Sequence, residues 1–478
     1  MSNIKLKKLI VKESFSLKRT LKVINLSGLE ACFVTRKNKL INIVTDGDIR
    51  RALLKGCKLS DNIKKIKSKN NYVSVKENYD FLDLQKKISK FKIIPIINNN
   101  DEIIDYANEK RFRQLPQFEP LFKGNELKYV SEVIRSGWIS SIGKYVDIFQ
   151  KKFSLFVKNK YCLTTSNGTT ALQLAISTLR LKPQDEIIVP DYTFVSPINS
   201  ILHSNCRPVL VDIDIKNLCV SLNSIKKAIN INTKAIILVH IYGNTPELDK
   251  ILKFCKQKKI RVIEDCAEAF GTYYKGKHVG NFGDFGTFSF YGNKTISTGE
   301  GGMIIFKKKE DYQLAKKLRD HGMRQDKKYW HDEVGFNFRM TNLQAAVGCA
   351  QIEMANKFIN RKIKIFKRYK LKLKNLKFLS MAKETLKTKN SHWLTYVLVK
   401  DNLIRDKLLS FINSKGIEAK SGFYSAHQMD IYKNFKNKKI DYANSKKISS
   451  SIITLPSFVN LKNEEIDYIC KLIKSYFK

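Results

Sequence analysis

The sequence predicts an α/β protein: a mostly parallel sheet with helices on both faces, a smaller α+β region after it, and a pair of short α+β units before it. Three observations carry this. From about residue 160, the apolar runs EIIVP (186–190), PVLVDID (208–214), AIILVHIYG (235–243) and RVIEDCAEAFG (261–271) alternate with helical patterns such as TTALQLAISTLR and ELDKILKFCKQKK. That alternation makes βαβ units and a parallel sheet. After about residue 360, Lys-rich helices return with interspersed strands. The first hundred residues hold a strand–turn–strand–helix unit, EACFVTRKNKLINIVTDGDIRRALLKG, and a weaker echo, FKIIPIINNNDEIIDYANEKRF. Repetition of one supersecondary unit marks a tandem repeat. The segment RFRQLPQFEP, with two prolines and no periodicity, reads as the linker. The predicted domains are 1–113, 114–360 and 361–478.

Composition narrows the function classes. With 88 Lys and Arg against 44 Asp and Glu, the formal net charge is +44, and 43% of the 478 residues are hydrophobic. The lysines are spread along the whole chain, and no helix-turn-helix, zinc-finger or RNP-type pattern accompanies them, so no nucleic-acid partner is expected. Such a charge still helps attract a phosphorylated substrate. The nine cysteines are odd in number and contain no C-x-x-C, which speaks against a disulfide framework or a metal site and for a reduced cytoplasm. No apolar run reaches the length of a membrane span, and MSNIKLKKLIVKESF lacks the apolar core of a signal peptide.

In a parallel sheet, ligands gather outside the carboxyl ends of the strands. SNGTTALQLA (166–175) opens a helix there with small polar residues, and a helix start with free N–H groups suits an anion. Asn167, Gly168 and Thr169 are its candidates. Phe194 in DYTFVSP and Asp265 closing RVIED follow two other strands. Lys294 stands in FSFYGNKTISTGEGG (288–302), between an aromatic run and a glycine-rich one. It is not a P-loop lysine, because Gly and Lys are not adjacent. Aromatic surroundings desolvate an amine, lower its pKa, and favour the neutral form that attacks a carbonyl. Singly, each feature has a plain reading: a helix cap, a core aromatic, a surface lysine. As a set they match pyridoxal 5'-phosphate. They offer an anion cradle, a flat ring partner, a carboxylate to keep the pyridinium protonated, and a lysine to hold the aldehyde.

Residues 115–478 resemble the sugar-nucleotide aminotransferases of the DegT/DnrJ/EryC1/StrS family, which are fold type I pyridoxal-phosphate enzymes. The likeness rests on GWISSIGKYV, SNGTTALQLA, VPDYTFVSP, VIEDCAEAFG, FGTFSFYGNKTISTGEGGM, YWHDEVGFNFRMTNLQAA and LPSF. EDCAEAFG, FYGNKTISTGEGG and YWHD bring it closest to the GDP-perosamine synthase branch. The resemblance implies transfer of an amino group from L-glutamate to a nucleotide-linked 4-keto-6-deoxy sugar for surface polysaccharide. GDP-4-keto-6-deoxy-mannose is the first choice, and a UDP- or dTDP-linked sugar the alternative. It implies that Lys294 carries the cofactor and moves protons, and that Asp265 pairs the pyridine nitrogen. Glu268 falls near the phenolic oxygen, where many relatives have Gln. Phe194 stacks on the ring, and Asn167, Gly168, Thr169 and Ser289 hold the phosphate. Asn337 is expected at the phosphate of a neighbouring subunit's cofactor, which makes a homodimer. Trp138, Trp330, His331, Arg339 and His427 are expected at the substrate. Dehydratase members carry His where this chain has Lys294, so transamination is favoured. Lys420-Ser421-Gly422 replaces the usual Arg-Pro and Ala426 a usual Pro, which leaves the sugar nucleotide open.

INIVTDGDIRRALL resembles the end of a CBS domain, a module that pairs and often binds adenine nucleotides. Thr45 and Asp48 match its ribose- and phosphate-binding pair, while Asn42 replaces the usual Gly and the second unit lacks the Thr–Asp pair. The expectation is one adenine-nucleotide site or a purely structural pair. A nucleotide sensor is the competing reading from another class, but a pure sensor has no use for Lys294, Asp265 and SNGTT together.

Overall fold

The computed structural model describes residues 4–66, 72–109, 112, 114–324, 326–381 and 387–477. Lys110 and Arg111, in the second repeat unit, and Arg113 of the predicted linker lie outside these residues. The chain forms two compact units, one of residues 1–115 with 411–417, the other of 116–410 with 418–478.

The first unit is built twice on one plan. β1 (Ile10–Lys12) pairs parallel with β2 (Ala31–Arg36), which pairs antiparallel with β3 (Lys39–Thr45). β4 (Val75–Lys76), β5 (Ile93–Ile97) and β6 (Ile103–Asn108) repeat that order and those directions. Helices Leu17–Ser27 and Phe81–Lys90 occupy matching places, each capped by the side chain of Ser16 or Asp80. A shared apolar cluster that includes Phe33, Leu40, Ile93, Ile97 and Tyr106 joins the two halves.

The second unit centres on a seven-stranded sheet. Its strands are β7 (Tyr161–Thr165), β8 (Glu186–Pro190), β9 (Arg207–Val211), β10 (Thr233–Val239) and β11 (Arg261–Asp265). After the two-residue strands β12 (Tyr273–Tyr274) and β13 (Lys277–His278) come β14 (Phe285–Ser289) and β15 (Gly302–Phe306). The order is β7-β15-β14-β11-β10-β8-β9. Only β15 runs against the rest. The apolar runs are continuous because both faces are covered: Ile187, Ile188, Leu210, Ile236, Ile237 and Ile263 are fully buried. EIIVP is β8 to the residue, and the other three predicted runs are trimmed at their ends. AIILVHIYG leaves the strand at Val239, and RVIEDCAEAFG at Asp265, so the residues beyond are free to line a site.

Helix Ala355–Leu373 runs through residue 360 and leads into a second, antiparallel sheet. It comprises β16 (Leu379–Met381), β18 (Thr395–Val399), β20 (Ile452–Leu455) and β19 (Lys420–Ser421), while β17 (Thr388–Lys389) pairs with β12. Helix Asn463–Tyr476 packs on Ala355–Leu373, and Arg368 forks onto Asp467 with bonds of 2.8 and 2.6 Å. Among the described residues, no helix is long and apolar enough to cross a membrane.

Candidate active site

The anion cradle forms where β7 gives way to helix Gly168–Thr178. Asn167 is extended, and its side chain accepts the Thr170 N–H at 2.9 Å while Thr170 Oγ1 accepts the Asn167 N–H at 3.1 Å. This capping box fixes the first turn and leaves other amides of that turn for a ligand. Gly168 lies against Ser289 so closely that a Cβ on it would stand 2.8 Å from the Ser289 Cβ. Thr169 Oγ1 meets Ser196 Oγ at 2.8 Å. Gly168, Thr169, Ser196 and Ser289 thus converge, and a side chain at 168 would fill the cradle.

Asp265 ends β11, 6% exposed, and Oδ1 accepts the Ala267 N–H at 3.0 Å. Burial pushes its carboxyl up, and the Ala267 amide and the Lys294 charge oppose that. Glu268, equally buried, accepts the Tyr242 N–H at 2.8 Å through Oε2. Burial pushes it up to about 7, against the pull of Lys294. Lys294 is half-buried and sits on the loop 290–301 that joins β14 to β15. Burial lowers its amine, while Glu268 and Asp265 work the other way. The loop is tied internally: the Phe290 N–H donates to Gly301 O at 2.8 Å, Thr298 N–H to Phe290 O at 2.9 Å, and Lys294 N–H to Tyr291 O at 2.9 Å.

Several residues that sequence reasoning passed over support this group. The Lys294 Nζ stands 4.0 Å from the centroid of the Trp393 ring, 99 positions along the chain, so nothing local signalled the contact. Tyr242, in the left-handed region at φ 51°, aims its amide at Glu268 and stacks on Phe423 with ring planes 4° apart. His240 and Glu264 form a fully buried pair at 2.9 Å. Glu264 also accepts N–H groups from Gly280, Phe282 and Gly283 at 2.9, 2.7 and 2.7 Å. His240, Glu264 and Cys266 lie close enough to hold a metal ion, but the carboxylate is already engaged by those four donors.

The other expected residues stand in differing surroundings. Phe194 is not a core aromatic: it is 52% exposed, four residues beyond β8, with its ring 5.8 Å from Phe423. It is therefore open to a flat ligand. His427 is no loose surface side chain. Its Nδ1 lies 2.8 Å from Asp191 Oδ2, its N–H donates to Oδ1 at 2.7 Å, and its ring stacks on Tyr442. Asn337, Arg339 and His331 share one exposed cluster. Arg339 donates to Asn337 Oδ1 at 3.1 Å and pairs with Asp320 at 2.8 Å, and His331 Nδ1 lies 3.0 Å from His321 O. Trp330 is half-exposed beneath Lys327, and Trp138 is 60% exposed, its carbonyl accepting from Asn342 at 2.6 Å.

In the first unit, Thr45 caps helix Asp46–Leu54, and Asp48 completes the box by accepting the Thr45 N–H and hydroxyl at 3.0 and 2.7 Å. Both line a cavity of about 1060 Å³ with Arg50, Tyr72, Phe91 and Lys92.

Half-buried amine, raised carboxyls, anion cradle and open aromatic together fit pyridoxal phosphate, and they define the class as an α/β transferase using that cofactor. The profile of the DegT/DnrJ/EryC1/StrS aminotransferase family matches residues 120–474. The chain belongs to this family. It is 41% identical over 365 residues to the GDP-perosamine synthase of Vibrio cholerae, covering 76% of this chain and 99% of that one. Among solved structures it is similar to Helicobacter pylori PseC, an aminotransferase involved in the biosynthesis of pseudoaminic acid. The TM-score is 0.73 at 26% identity, over 76% of this chain and 99% of the other. It is also similar to Spr1654 of Streptococcus pneumoniae, solved in PLP and PMP forms; for the PLP form the TM-score is 0.72 at 25% identity, over 76% and 98%.

Proposed function

We propose that this protein transfers the amino group of L-glutamate to C4 of GDP-4-keto-6-deoxy-mannose, giving the 4-amino sugar nucleotide and 2-oxoglutarate. The exchange swaps one C=O for one C–NH2 on each partner and needs no outside oxidant or reductant. The observation that carries the reading is the Lys294 amine, lowered by burial and drawing on the charges of Glu268 and Asp265, which follow β11. The 41% identity to the Vibrio cholerae enzyme supports the GDP sugar. When bound, pyridoxal phosphate supplies an aldehyde to carry nitrogen and a pyridinium to accept electron density.

The chain's own residues do the rest. The Gly168 turn with Thr169 and Ser289 binds the phosphate, and Phe194 lies along the ring. Asp265 holds the proton on the pyridine nitrogen. Glu268, near 7, stores a proton beside the phenolic oxygen. Lys294, half-buried and with its amine lowered, takes a proton from one carbon and returns it to another. His427, oriented by Asp191, meets the substrate with Trp330, His331 and Trp138. Asn337 completes the phosphate site of a second copy, so the working form is a homodimer. Reduced cysteines fit a cytoplasmic enzyme. The repeated first unit is a CBS-like pair whose cavity takes an adenine nucleotide at Thr45 and Asp48.

The test is spectroscopic. Glutamate should bleach the cofactor band of the purified enzyme, and GDP-4-keto-6-deoxy-mannose should restore it. Restoration only by a UDP- or dTDP-linked keto sugar would replace the substrate. No bleaching at all would overturn the reaction.

A further inference from the structure

Lys294 must spend part of each cycle unattached to the cofactor, on the reading above, and an unattached amine needs a defined place. We propose that the indole of Trp393 is that place: a seat that holds the Lys294 ammonium by its ring face and so keeps the group within reach for its return.

The geometry is direct. The Lys294 Nζ lies 4.0 Å from the Trp393 ring centroid. A cation within about 6 Å of an indole is attracted by the ring's quadrupole, and more strongly once water is excluded. Trp393 is 4% exposed, so the contact is largely dry. The indole itself cannot drift. Its Nε1–H donates to Asn293 O, the residue before the lysine, at 2.8 Å. The ring also lies nearly parallel to Tyr242, with planes 11° apart.

Behind it stands Lys362. This side chain is 4% exposed and donates to the carbonyls of Trp393 and Ser457 at 2.9 and 2.8 Å. Lys362 therefore anchors the backbone of the seat, and burial takes its amine down to about 7. His392 stacks on Phe366 at 3.6 Å and fixes the preceding residue to the same helix. Two contacts thus hold the indole under the lysine, and two more hold the backbone that carries it.

The charges around the amine divide the labour. Asp265 and Glu268 attract the ammonium through their carboxylates. Burial opposes it. The indole adds an attraction that carries no charge of its own and accepts no proton. Lys294 can therefore rest on it and still give its proton up.

The seat is tested on the full-length chain freed of cofactor, by labelling amines with trinitrobenzenesulfonate across a pH series. The extent at Lys294 is read by peptide mass spectrometry. Removing the seat should disfavour the ammonium, so the neutral amine appears at lower pH. Trp393→Leu should lower the midpoint by about one unit, roughly tenfold more labelling at a fixed pH below it. Trp393→Phe, with a weaker ring quadrupole, should give about threefold. A midpoint unmoved or raised in folded Trp393→Phe overturns the seat, and Trp393→Leu, where its melting curve shows it folded, must agree. The proposed reaction fails by a different sign: borohydride reduction of the cofactor-loaded wild type would then leave no pyridoxyl group on Lys294.

Discussion

Gly168→Ala tests the cradle at the point where its dimensions are tightest. The added methyl would stand 2.8 Å from the Ser289 Cβ, 3.2 Å from its Oγ and 3.4 Å from its Cα. Ordinary contact begins near 3.4 Å, so the two segments must separate by about 0.6 Å. Neither yields easily. The helix start is held by the Asn167–Thr170 box, and Ser289 closes a ladder with Gly302. If the separation opens the cradle, an N–H···O distance near 2.9 Å becomes about 3.5 Å, beyond useful hydrogen bonding. Losing one charge-assisted bond costs about 1.5–3 kcal/mol, hence roughly a ten- to hundredfold weaker hold on the phosphate. The assay is a titration of the cofactor-free chain with pyridoxal phosphate, read by absorbance, beside one with pyridoxal. The variant should lose affinity for the first and keep it for the second. Equal binding of pyridoxal phosphate by variant and wild type, or an equal loss for both ligands, would refute the assignment of the cradle to the phosphate.

Other outcomes follow from buried groups. Glu268 is raised from 4.5 to about 7 on folding, so its contribution to stability is full below 4.5 and is lost as pH rises through 7. Urea unfolding of Glu268→Gln without cofactor should therefore show a gain over wild type of about 3 kcal/mol between those limits. Lys362 is lowered from 10.5 to about 7, so the unfolded chain binds the extra proton between those values and wild-type stability rises with pH across them. Lys362→Met should flatten that rise, by up to about 5 kcal/mol in total, whatever its stability at a single pH. Asp265→Asn should still take up the cofactor on Lys294 but slow bleaching by glutamate about 10²- to 10⁴-fold in stopped flow, because the pyridine nitrogen loses its anionic partner.

The sheet was legible because its strands are buried on both faces and so appear as uninterrupted apolar runs. Direction was not legible. GMIIF reads like any buried strand, yet β15 is the one that runs backwards, since what reverses it is the loop that must return Lys294 to the edge of β14. Strand ends were overrun for the same reason: HIYG and CAEAFG are as apolar as the strands before them, and only the turn at Tyr242 and the Ala267 amide on Asp265 stop the ladder. Lys294, Asp265 and the Asn167–Thr169 start stood out through residue type and position after a strand. Trp393, Lys362 and Asp191 did not, because each acts through a contact made between 31 and 236 positions away. The exposed grouping of Asn337, Arg339 and His331 was reachable through family likeness alone, since its pattern carries no periodic or metal-ligand signature.

The loop that bears Lys294 is moored at both ends to neighbouring strands in register, Ser289 opposite Gly302. It is a closed ring of fixed circumference. One residue more or less between 290 and 301 has two ways out: the loop around Lys294 takes up the change, or β15 slides against β14 and turns its side chains to the other face. The segment from Lys420 to Gln428 is moored likewise: Lys420 and Ser421 pair with β20, Phe423 stacks on Tyr242, and the Asp191 carboxylate holds His427.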